Sequence, residues 1–318
     1  METLTFGCAF SDRIEALLDG RVQVEGFQLD ITLRQPQVLF REVLKQQAYD
    51  IAEMSLGSHI ANVAAGIDDY VALPIFLSRA FRHSNIYVRT DRIRRPQDLA
   101  GCTFGVGDYR QTATIWVRGI LADDYGVSRE DLSWVVGGLN VSATESRGGA
   151  ARPNARVRQT TDSLDALIRK GEIDAIISPV EPLCANDPDV PVGRLFPDVR
   201  AIEADYFLRT GVFPLMHCLV VRRTVLRGHP TLAPALMKAF DEALALALRD
   251  LDGRDYPKVA APWISSHRSL VRSALGREPW TYGLADNVDA ISALLRYAYE
   301  DGITPLQLSA SDILCDGR

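Results

Sequence analysis

Strand-like and helix-like segments alternate along the first ninety residues, and this alternation constrains the fold more than any other feature. Strand patterns occur in LTFGCAF, VEGFQLDITL and YDIAEMSL, and helical spacing of apolar residues occurs between them in IEALLDG and VLFREVLKQQ. Two more β-rich runs follow, YVALPIF and NIYVRT. Alternation of this kind predicts an open α/β sheet with a ligand crevice at the strand ends.

A second alternating segment begins at CTFGVG, after the charged connector RIRRPQDLAG. It continues with a helix pattern, TATIWVRGILADDYG, and ends with SLDALIRKGEIDAIISP, a helix followed by a strand. CTFGVG is similar to LTFGCA, and in both segments an aspartate, Asp50 or Asp174, opens a buried strand. Because 318 residues exceed the usual size of a single core, we predict two α/β lobes built on similar units.

The pattern changes to long helices after MHCLVVRR, in TLAPALMKAFDEALALALRDL and in DNVDAISALLRYAYEDG. A chain that enters the second lobe near residue 93 and leaves it near residue 215 crosses between the lobes twice. We therefore predict a first lobe of residues 1–92 and 216–318, a second lobe of residues 93–215, and a ligand cleft between the crossings.

Composition excludes several classes of protein. A net charge of −6 and a pI near 5.5 argue against general binding to nucleic acid or anionic membranes, and no apolar run reaches the length of about 18 residues that a membrane span needs. The five cysteines form no C-x-x-C pair, and the N-terminus lacks a signal-peptide pattern. We expect reduced thiols, a cytoplasmic protein and no metal site. Apolar positions on the C-terminal helices are compatible with a homo-oligomer, although no spacing requires one.

Two clusters could bind an anion. Arg79, Arg82 and His83 stand just before the strand NIYV, and guanidinium groups donate paired hydrogen bonds to carboxylates, although a solvated basic turn explains this run equally well. The second cluster follows the strand of CTFGVG, where Tyr109 lies in the loop before a helix that starts near Thr112. Free amide groups at such a start favour an anion, but a simple capped helix is the alternative, and no phosphate-loop pattern is present.

His217 is the third candidate, because it lies where the chain returns between the predicted lobes, just after Phe213. A histidine beside an apolar strand is more often structural than catalytic, but this position favours a catalytic role. Arg13, Glu53 and Ser55 follow or end predicted strands and belong to the same rim. The metalloprotease, nucleophile-elbow and dinucleotide-binding motifs are all missing from the sequence.

Five segments together resemble the 4,5-dihydroxyphthalate decarboxylase family: VLFREVLKQQAYDIAEMSL, LPIFLSRAFRHSNIYV, YRQTATIWVRGILADDYGV, RLFPDVRAIEADYFLRTGVFPLMH and PWTYGL. The resemblance runs through nearly the whole chain. It implies a two-lobed type II periplasmic-binding-protein fold used as an enzyme, which converts 4,5-dihydroxyphthalate to protocatechuate and carbon dioxide without an organic cofactor. The chain departs from the family at Asn140, where an acidic residue is common, and at SPVEP, where an arginine is replaced and Glu181 lies nearby.

Such a decarboxylation needs an acid near the ring carbon, a group that draws the proton from the para hydroxyl, and an anion clamp for the second carboxylate. We predict His217, or failing that His83, as the acid. Glu53 and Tyr109 are expected to polarise the ring hydroxyls, and the clamp is expected among Arg13, Arg79, Arg82 and Arg118. The full set of predicted substrate-binding residues is Arg13, Ser55, Arg79, Arg82, Tyr109, Gln111, Thr112, Arg118 and Phe213.

Two other functions remain open at this point. A non-catalytic solute-binding protein for an aromatic carboxylate would use the same fold, since fold does not fix function. An enzyme that acts on a different cyclic carboxylic acid, such as a chorismate-derived or naphthoate intermediate, is the second alternative.

Overall fold

The computed structural model describes residues 1–141, 156–253 and 258–315. The strands in this part of the chain are β1 (Glu2–Cys8), β2 (Phe27–Leu33), β3 (Ile51–Ser55), β4 (Tyr70–Arg79), β5 (Ile86–Arg89), β6 (Thr103–Val106), β7 (Ser133–Val136), β8 (Arg156–Gln159), β9 (Ala175–Ile177), β10 (Val192–Arg194) and β11 (Leu215–Arg222). The helices are α1 (Asp12–Leu18), α2 (Pro36–Arg41), α3 (Leu56–Ala64), α4 (Thr112–Tyr125), α5 (Leu164–Lys170), α6 (Val199–Thr210), α7 (Arg223–Gly228), α8 (Leu232–Asp252), α9 (Ile264–Leu275), α10 (Val288–Glu300) and α11 (Ala310–Ile313).

The chain divides into two compact units. The first unit consists of Met1–Arg79, Leu215–Val288 and Ser309–Arg318, and the second consists of Ala80–Pro214 and Asp289–Leu308. Within the described residues, no helix is both long and apolar enough to cross a membrane.

The sheet of the first unit has the strand order β2-β1-β3-β11-β4. β1 pairs with β2 and β3 in parallel, whereas β11 is antiparallel to both β3 and β4. The long helix α8 buries one face, which includes Leu236, Phe240 and Ala243, because apolar residues recur at helical spacing. Phe240 meets Phe6 of β1 edge to face at 5.9 Å, so α8 covers this sheet.

The sheet of the second unit has the order β10-β5-β9-β6-β7-β8 and is also mixed. β6 pairs in parallel with β7 and β9, and β5 is antiparallel to β9 and β10. Its core contains Phe104 of β6 and Trp134 of β7, whose rings lie 5.2 Å apart. Two mixed sheets flanked by helices confirm the predicted α/β class.

The unit boundaries differ from the predicted positions at 92 and 93. β5 belongs to the second unit because its partner strands are β9 and β10. Residues 289–308 also belong there, since Tyr297 of α10 packs edge to face against Trp116 of α4 at 5.7 Å. Gly119 allows this contact, because the Tyr297 ring leaves no room for a side chain at that position.

The similarity between LTFGCA and CTFGVG corresponds to a shared local structure. In the first unit the carboxylate of Asp50, before β3, accepts a hydrogen bond from the Thr5 amide at 3.0 Å. In the second unit the carboxylate of Asp174, before β9, accepts one from the Thr103 amide at 2.9 Å. Each aspartate therefore ties the start of a buried strand to its parallel neighbour.

Candidate functional site

Glu53 and His217 meet on adjacent strands of the first unit. In the antiparallel register of β3 and β11, Glu53 lies opposite Leu219. His217 is two residues from Leu219 along the strand, so it is on the same face of the sheet as Glu53. Its Nδ1 donates a hydrogen bond to Glu53 Oε1 at 2.6 Å. The sheet thus brings together two predicted catalytic residues that are 164 positions apart in sequence.

The pairing of β11 with β4 is irregular on both sides of His217. Irregularities of this kind change the direction in which a strand presents a side chain. The Glu53 side chain is 6% exposed, whereas that of His217 is 20% exposed. The histidine is therefore the partner in this pair that a ligand can reach.

Glu53 is an ionised acceptor. Burial raises the pKa of its carboxyl, but the hydrogen bond from His217 and the amide of Ala9, which donates to Oε2 at 2.9 Å, act in the other direction. The resulting pKa lies below the ordinary value. A carboxylate that holds Nδ1–H fixes the tautomer of the imidazole, and Nε2 forms no hydrogen bond within the described part of the chain.

Phe40, at the end of α2, packs edge to face against the His217 ring with 4.8 Å between ring centroids. No sequence signal identifies Phe40 as a contact of His217. The helical spacing in VLFREVLKQQ predicts one buried face, and Leu39 is fully buried, but spacing does not reveal what the next residue contacts.

Arg13 and Ser55 also lie in the first unit. Arg13, in α1, donates through Nε to the Leu77 carbonyl at 3.2 Å and through a terminal nitrogen to Asp12 at 2.6 Å. Its guanidinium lies over the ring of Trp280 at 4.1 Å. Ser55 caps α3, because its hydroxyl oxygen accepts a hydrogen bond from the Ser58 amide at 3.4 Å.

Arg79, the last residue of β4, is buried against the chain that precedes α10. Its guanidinium donates to the carbonyls of Pro279, at 3.5 Å, and Thr281, at 2.5 Å, and also to the side chain of Asn287. Burial lowers the pKa of Arg79 to about 9. Arg79 was predicted to bind the substrate, but its guanidinium already donates hydrogen bonds to acceptors of the protein itself.

Arg82 and His83 belong to the second unit and are both buried. Arg82 donates to the Asn85 side chain at 2.7 Å, and burial lowers its pKa to about 10. His83 is surrounded by the rings of Tyr125, Phe196 and Tyr206, and neither of its ring nitrogens has a hydrogen-bond partner among the described residues. Burial lowers the pKa of His83 to about 4, so this histidine is neutral at pH 7.

Arg118 takes part in a fully buried ion pair in the second unit. Its Nε donates to Asp301 at 2.7 Å, and a terminal nitrogen donates to the Tyr109 carbonyl at 3.0 Å. Arg129 donates to the other oxygen of Asp301 at 2.9 Å. Asp301 lies 183 residues from Arg118 and has no motif around it, so no sequence signal identifies it.

The remaining predicted residues are also in the second unit. Tyr109 is buried beneath Arg118, whose guanidinium lies 3.9 Å from the centre of its ring. Gln111 and Thr112 form the start of α4, as predicted, and Phe213 stacks on Phe81 at 4.7 Å. A contact of any of these residues with substrate stays a prediction. Across the described ranges, no group of three or more His, Cys, Asp or Glu side chains is arranged to hold a metal ion.

Sequence comparison finds relatives over nearly the whole chain. A curated protein from Comamonas testosteroni, 4,5-dihydroxyphthalate decarboxylase, is 36% identical over 309 residues, which cover 95% of this chain and 93% of the relative. A protein of the same name from Pseudomonas putida is 36% identical over 199 residues, which cover 61% of this chain and 77% of the relative. No protein-family model matches the chain.

Solved structures with a similar fold include solute-binding proteins. The periplasmic sulfonate-binding protein of Methylobacillus flagellatus has a TM-score of 0.54 and 13% identity, with 99% of this chain and 92% of that chain covered. The alkanesulfonate-binding protein of Xanthomonas axonopodis pv. citri has a TM-score of 0.52 and 15% identity, with coverages of 99% and 98%. Identities this low concern the fold alone, and they confirm the predicted periplasmic-binding-protein-like fold.

Proposed function

The chain belongs to the 4,5-dihydroxyphthalate decarboxylase family, and we propose that it is a carboxy-lyase that converts 4,5-dihydroxyphthalate to protocatechuate and carbon dioxide. The structural observation that carries a mechanism is the hydrogen bond between His217 and Glu53. It joins a partly exposed imidazole to a buried carboxylate, which is a suitable arrangement for a positioned general acid.

The reaction needs a proton at the ring carbon that bears the departing carboxylate. Protonation of this carbon, with loss of the proton from the para hydroxyl, gives a dienone. The electrons of the breaking C–C bond then return to the ring as carbon dioxide leaves, and the para oxygen recovers its proton. One carboxylate is thus exchanged for one hydrogen, with net uptake of a proton.

In the proposed mechanism His217 acts as an imidazolium, which keeps its Nδ1–H on Glu53 and supplies this proton from Nε2. Glu53 is a positioning residue, since its carboxylate accepts Nδ1–H and so leaves Nε2 for the transfer. The sequence predicts that Glu53 polarises a ring hydroxyl, but its two carboxylate oxygens already accept hydrogen bonds from His217 and from the Ala9 amide. These contacts support the positioning role instead.

The surroundings of the two histidines support His217 over His83 as the acid. His83 is 1% exposed, and at neutral pH it has no proton to spare because burial lowers its pKa to about 4. An acid must reach its substrate and must hold a proton at the working pH.

Among the predicted clamp residues of the first unit, Arg13 is the better candidate. Its side chain is 19% exposed, and it donates through two of its three nitrogens to protein oxygens. Arg79 is buried and donates to three protein acceptors. We propose that Arg13 binds a substrate carboxylate.

The mechanism is tested by the His217→Asn and Glu53→Gln variants. Because a positioned general acid contributes roughly 10²–10⁴-fold, we expect His217→Asn to lower kcat by about that factor while KM changes little. Glu53→Gln should lower kcat by a smaller factor, since the acid remains but its orientation is no longer fixed. Stopped-flow or steady-state assays of carbon dioxide release measure both.

Asparagine at 217 can keep a hydrogen bond to Glu53, and circular dichroism should report an unchanged fold. Near-normal turnover in His217→Asn would remove His217 from the mechanism. Equal losses in His83→Asn and His217→Asn would contradict the preference for His217 as the acid.

A second candidate function is the binding of an aromatic carboxylate without reaction, since fold does not fix function. Saturable heat of binding with no carbon dioxide from the wild-type protein would favour it. The departures at Asn140 and Glu181 favour assays with further cyclic acids. Asn140 accepts a hydrogen bond from the Leu183 amide at 3.2 Å, and Glu181 lies 3.9 Å from Arg194.

A cytoplasmic location and a homo-oligomer stay predictions of the sequence. All five cysteines are free, in keeping with the expected reduced thiols. Cell fractionation and light scattering of the purified protein would test the two predictions.

A further inference from the structure

We infer that Trp280 positions Arg13 to bind the carboxylate that the substrate retains. The stacked pair of Arg13 and Trp280 would then set specificity for a ring that carries two adjacent carboxylates. The identity of the carboxylate rests on the proposed function, whereas the recognition of a carboxylate by Arg13 does not.

The two side chains are anchored at neighbouring points of β4. Arg13 donates through Nε to the carbonyl of Leu77 at 3.2 Å, and Trp280 donates through its indole nitrogen to the carbonyl of Phe76 at 3.3 Å. Three residues after Trp280, the amide of Gly283 donates to the carbonyl of Pro74 at 2.8 Å. The hydrogen bonds of the Trp280 indole and of the Gly283 amide therefore fix this segment along β4 and define the position of the indole ring.

The indole ring covers one face of the guanidinium. The central carbon of the guanidinium lies 4.1 Å from the ring centroid, a distance at which the ring attracts the cation and restricts its rotation. Nε and one terminal nitrogen are held by Leu77 and Asp12. The second terminal nitrogen makes no hydrogen bond to any residue in the described ranges. A carboxylate can therefore bind at this edge of the planar group.

Arg13 lies near the acid–base pair, because Leu77, which accepts a hydrogen bond from its Nε, precedes Ser78, and Ser78 lies opposite His217 in the register of β4 and β11. Burial raises the pKa of Glu53, and the positive charge of Arg13 is among the influences that lower it. A carboxylate held by Arg13 is thus close to Glu53 and His217, but it is bound by a different group from the one that gives the proton.

A substrate with two adjacent carboxylates fits this separation of roles. His217 would protonate the ring carbon of one carboxylate, while Arg13 would hold the neighbouring carboxylate, which remains on the product. The attraction to Arg13 is the same before and after carbon dioxide leaves. It contributes uniform binding, which affects KM rather than kcat.

The test compares two compounds that differ by the retained carboxylate alone, protocatechuate and catechol. Calorimetry gives the affinity of the wild-type protein for each. We expect Arg13→Gln to reduce the preference for protocatechuate by roughly 10- to 100-fold, as for the loss of a charged hydrogen bond. Trp280→Leu should reduce it by on the order of tenfold, whereas Trp280→Phe, which keeps an aromatic face, should retain most of it.

Trp263→Leu is the matched control, since Trp263 is 82% exposed in the same unit. It should leave both affinities unchanged. The double variant Arg13→Gln/Trp280→Leu should show no greater loss than Arg13→Gln alone, because Trp280 acts through Arg13. Additive losses, or an equal fall in the affinity for catechol, would overturn the inference.

The kinetic readout separates this inference from the proposed function. With 4,5-dihydroxyphthalate, Trp280→Leu should raise KM by about tenfold and change kcat less than twofold. A fall in kcat at constant KM would also overturn the positioning role. If the wild-type protein releases no carbon dioxide, the proposed function fails, but the calorimetric comparison still decides whether Arg13 and Trp280 recognise a carboxylate.

Discussion

The two units share a sheet plan but differ in the chemistry of equivalent positions. The strand order β2-β1-β3-β11-β4 of the first unit is repeated by β7-β6-β9-β5-β10 in the second, with the same parallel and antiparallel pairs. The Asp50 and Asp174 carboxylates occupy matching places in the two sheets. Five strands of each sheet therefore follow the same plan, and β8 extends the second sheet beyond β7.

The registers give the equivalent residues. Glu53 lies opposite Leu219, and Ile177 lies opposite Ile86 at the matching point of the second sheet. The second unit has isoleucine where the first has the Glu53 carboxylate, and β5 begins at Ile86, so no residue of β5 corresponds to His217. One sheet therefore carries an acid–base pair at this point and the other does not.

The second unit uses buried charge for stability instead. Arg118 and Arg129 share the carboxylate of Asp301, which ties α4 and the turn that follows it to the end of α10. In the first unit the buried carboxylate of Glu53 faces a partly exposed imidazole. Two units with similar strand order therefore carry their buried ionisable groups at different places, because their sequences differ there.

The largest expected effect on stability comes from removing the buried ion pair of the second unit. Asp301→Asn leaves two arginines without a charged partner, and we expect a loss of about 3–5 kcal/mol in the free energy of unfolding. Urea denaturation measures it. Glu172→Gln, which removes an exposed ion pair with Lys170 in the same unit, should have little effect. A small loss in Asp301→Asn would show that this unit does not depend on its buried charges.

The next effect concerns His83 of the second unit, which lies in a short helical turn just before β5. Burial lowers the pKa of His83 from 6.5 to about 4, so the unfolded chain takes up a proton first as the pH falls. The contribution of the neutral ring to the free energy of unfolding is full above pH 6.5 and is lost as the pH falls from 6.5 to about 4. The loss amounts to about 3 kcal/mol in this window.

His83→Met should remove that part of the acid sensitivity, because methionine fills the same cage without titrating. Urea denaturation of the wild-type protein and the variant at pH 7.5 and 4.5 gives the difference. Equal acid sensitivity in both proteins would show that His83 is not protonated on unfolding in this range.

The smallest effect tests the equivalence of the two units directly. Asp50→Asn and Asp174→Asn each replace a charged acceptor of a threonine amide by a neutral one. Each should lower the free energy of unfolding by about 1 kcal/mol. Urea denaturation of the two variants gives the comparison. Asp124→Asn is a control for the loss of a carboxylate elsewhere. Losses in the free energy of unfolding that differ several-fold between the two variants would contradict the structural equivalence of the two aspartates.

Much of the fold follows from local patterns. The strand LTFGCAF became β1, the run TATIWVRGILADDYG became α4, and the long C-terminal pattern became α8, because apolar periodicity reflects which face is buried. The unit boundaries were less predictable. The run NIYVRT has the same pattern in either sheet, and its partners β9 and β10 alone place it in the second unit.

The candidate site was predictable in its residue types but not in its pairs. The sequence predicts His217 and Glu53 as separate members of a rim, and nothing in it pairs them. The sequence predicts Arg79 and Arg118 as members of the carboxylate clamp, but acceptors from distant parts of the chain bind them. A guanidinium has the same sequence signal whether it binds a ligand or a carboxylate of its own protein.

The sequence by itself determined the α/β class, the repeated strand and aspartate pattern, and the family, because these depend on periodicity and on residues in order along the chain. Only the tertiary structure decided that the Glu53 carboxylate holds His217 and that Trp280 covers Arg13. These contacts join residues 164 and more than 260 positions apart, and strand register and side-chain packing, which no local pattern encodes, bring them together.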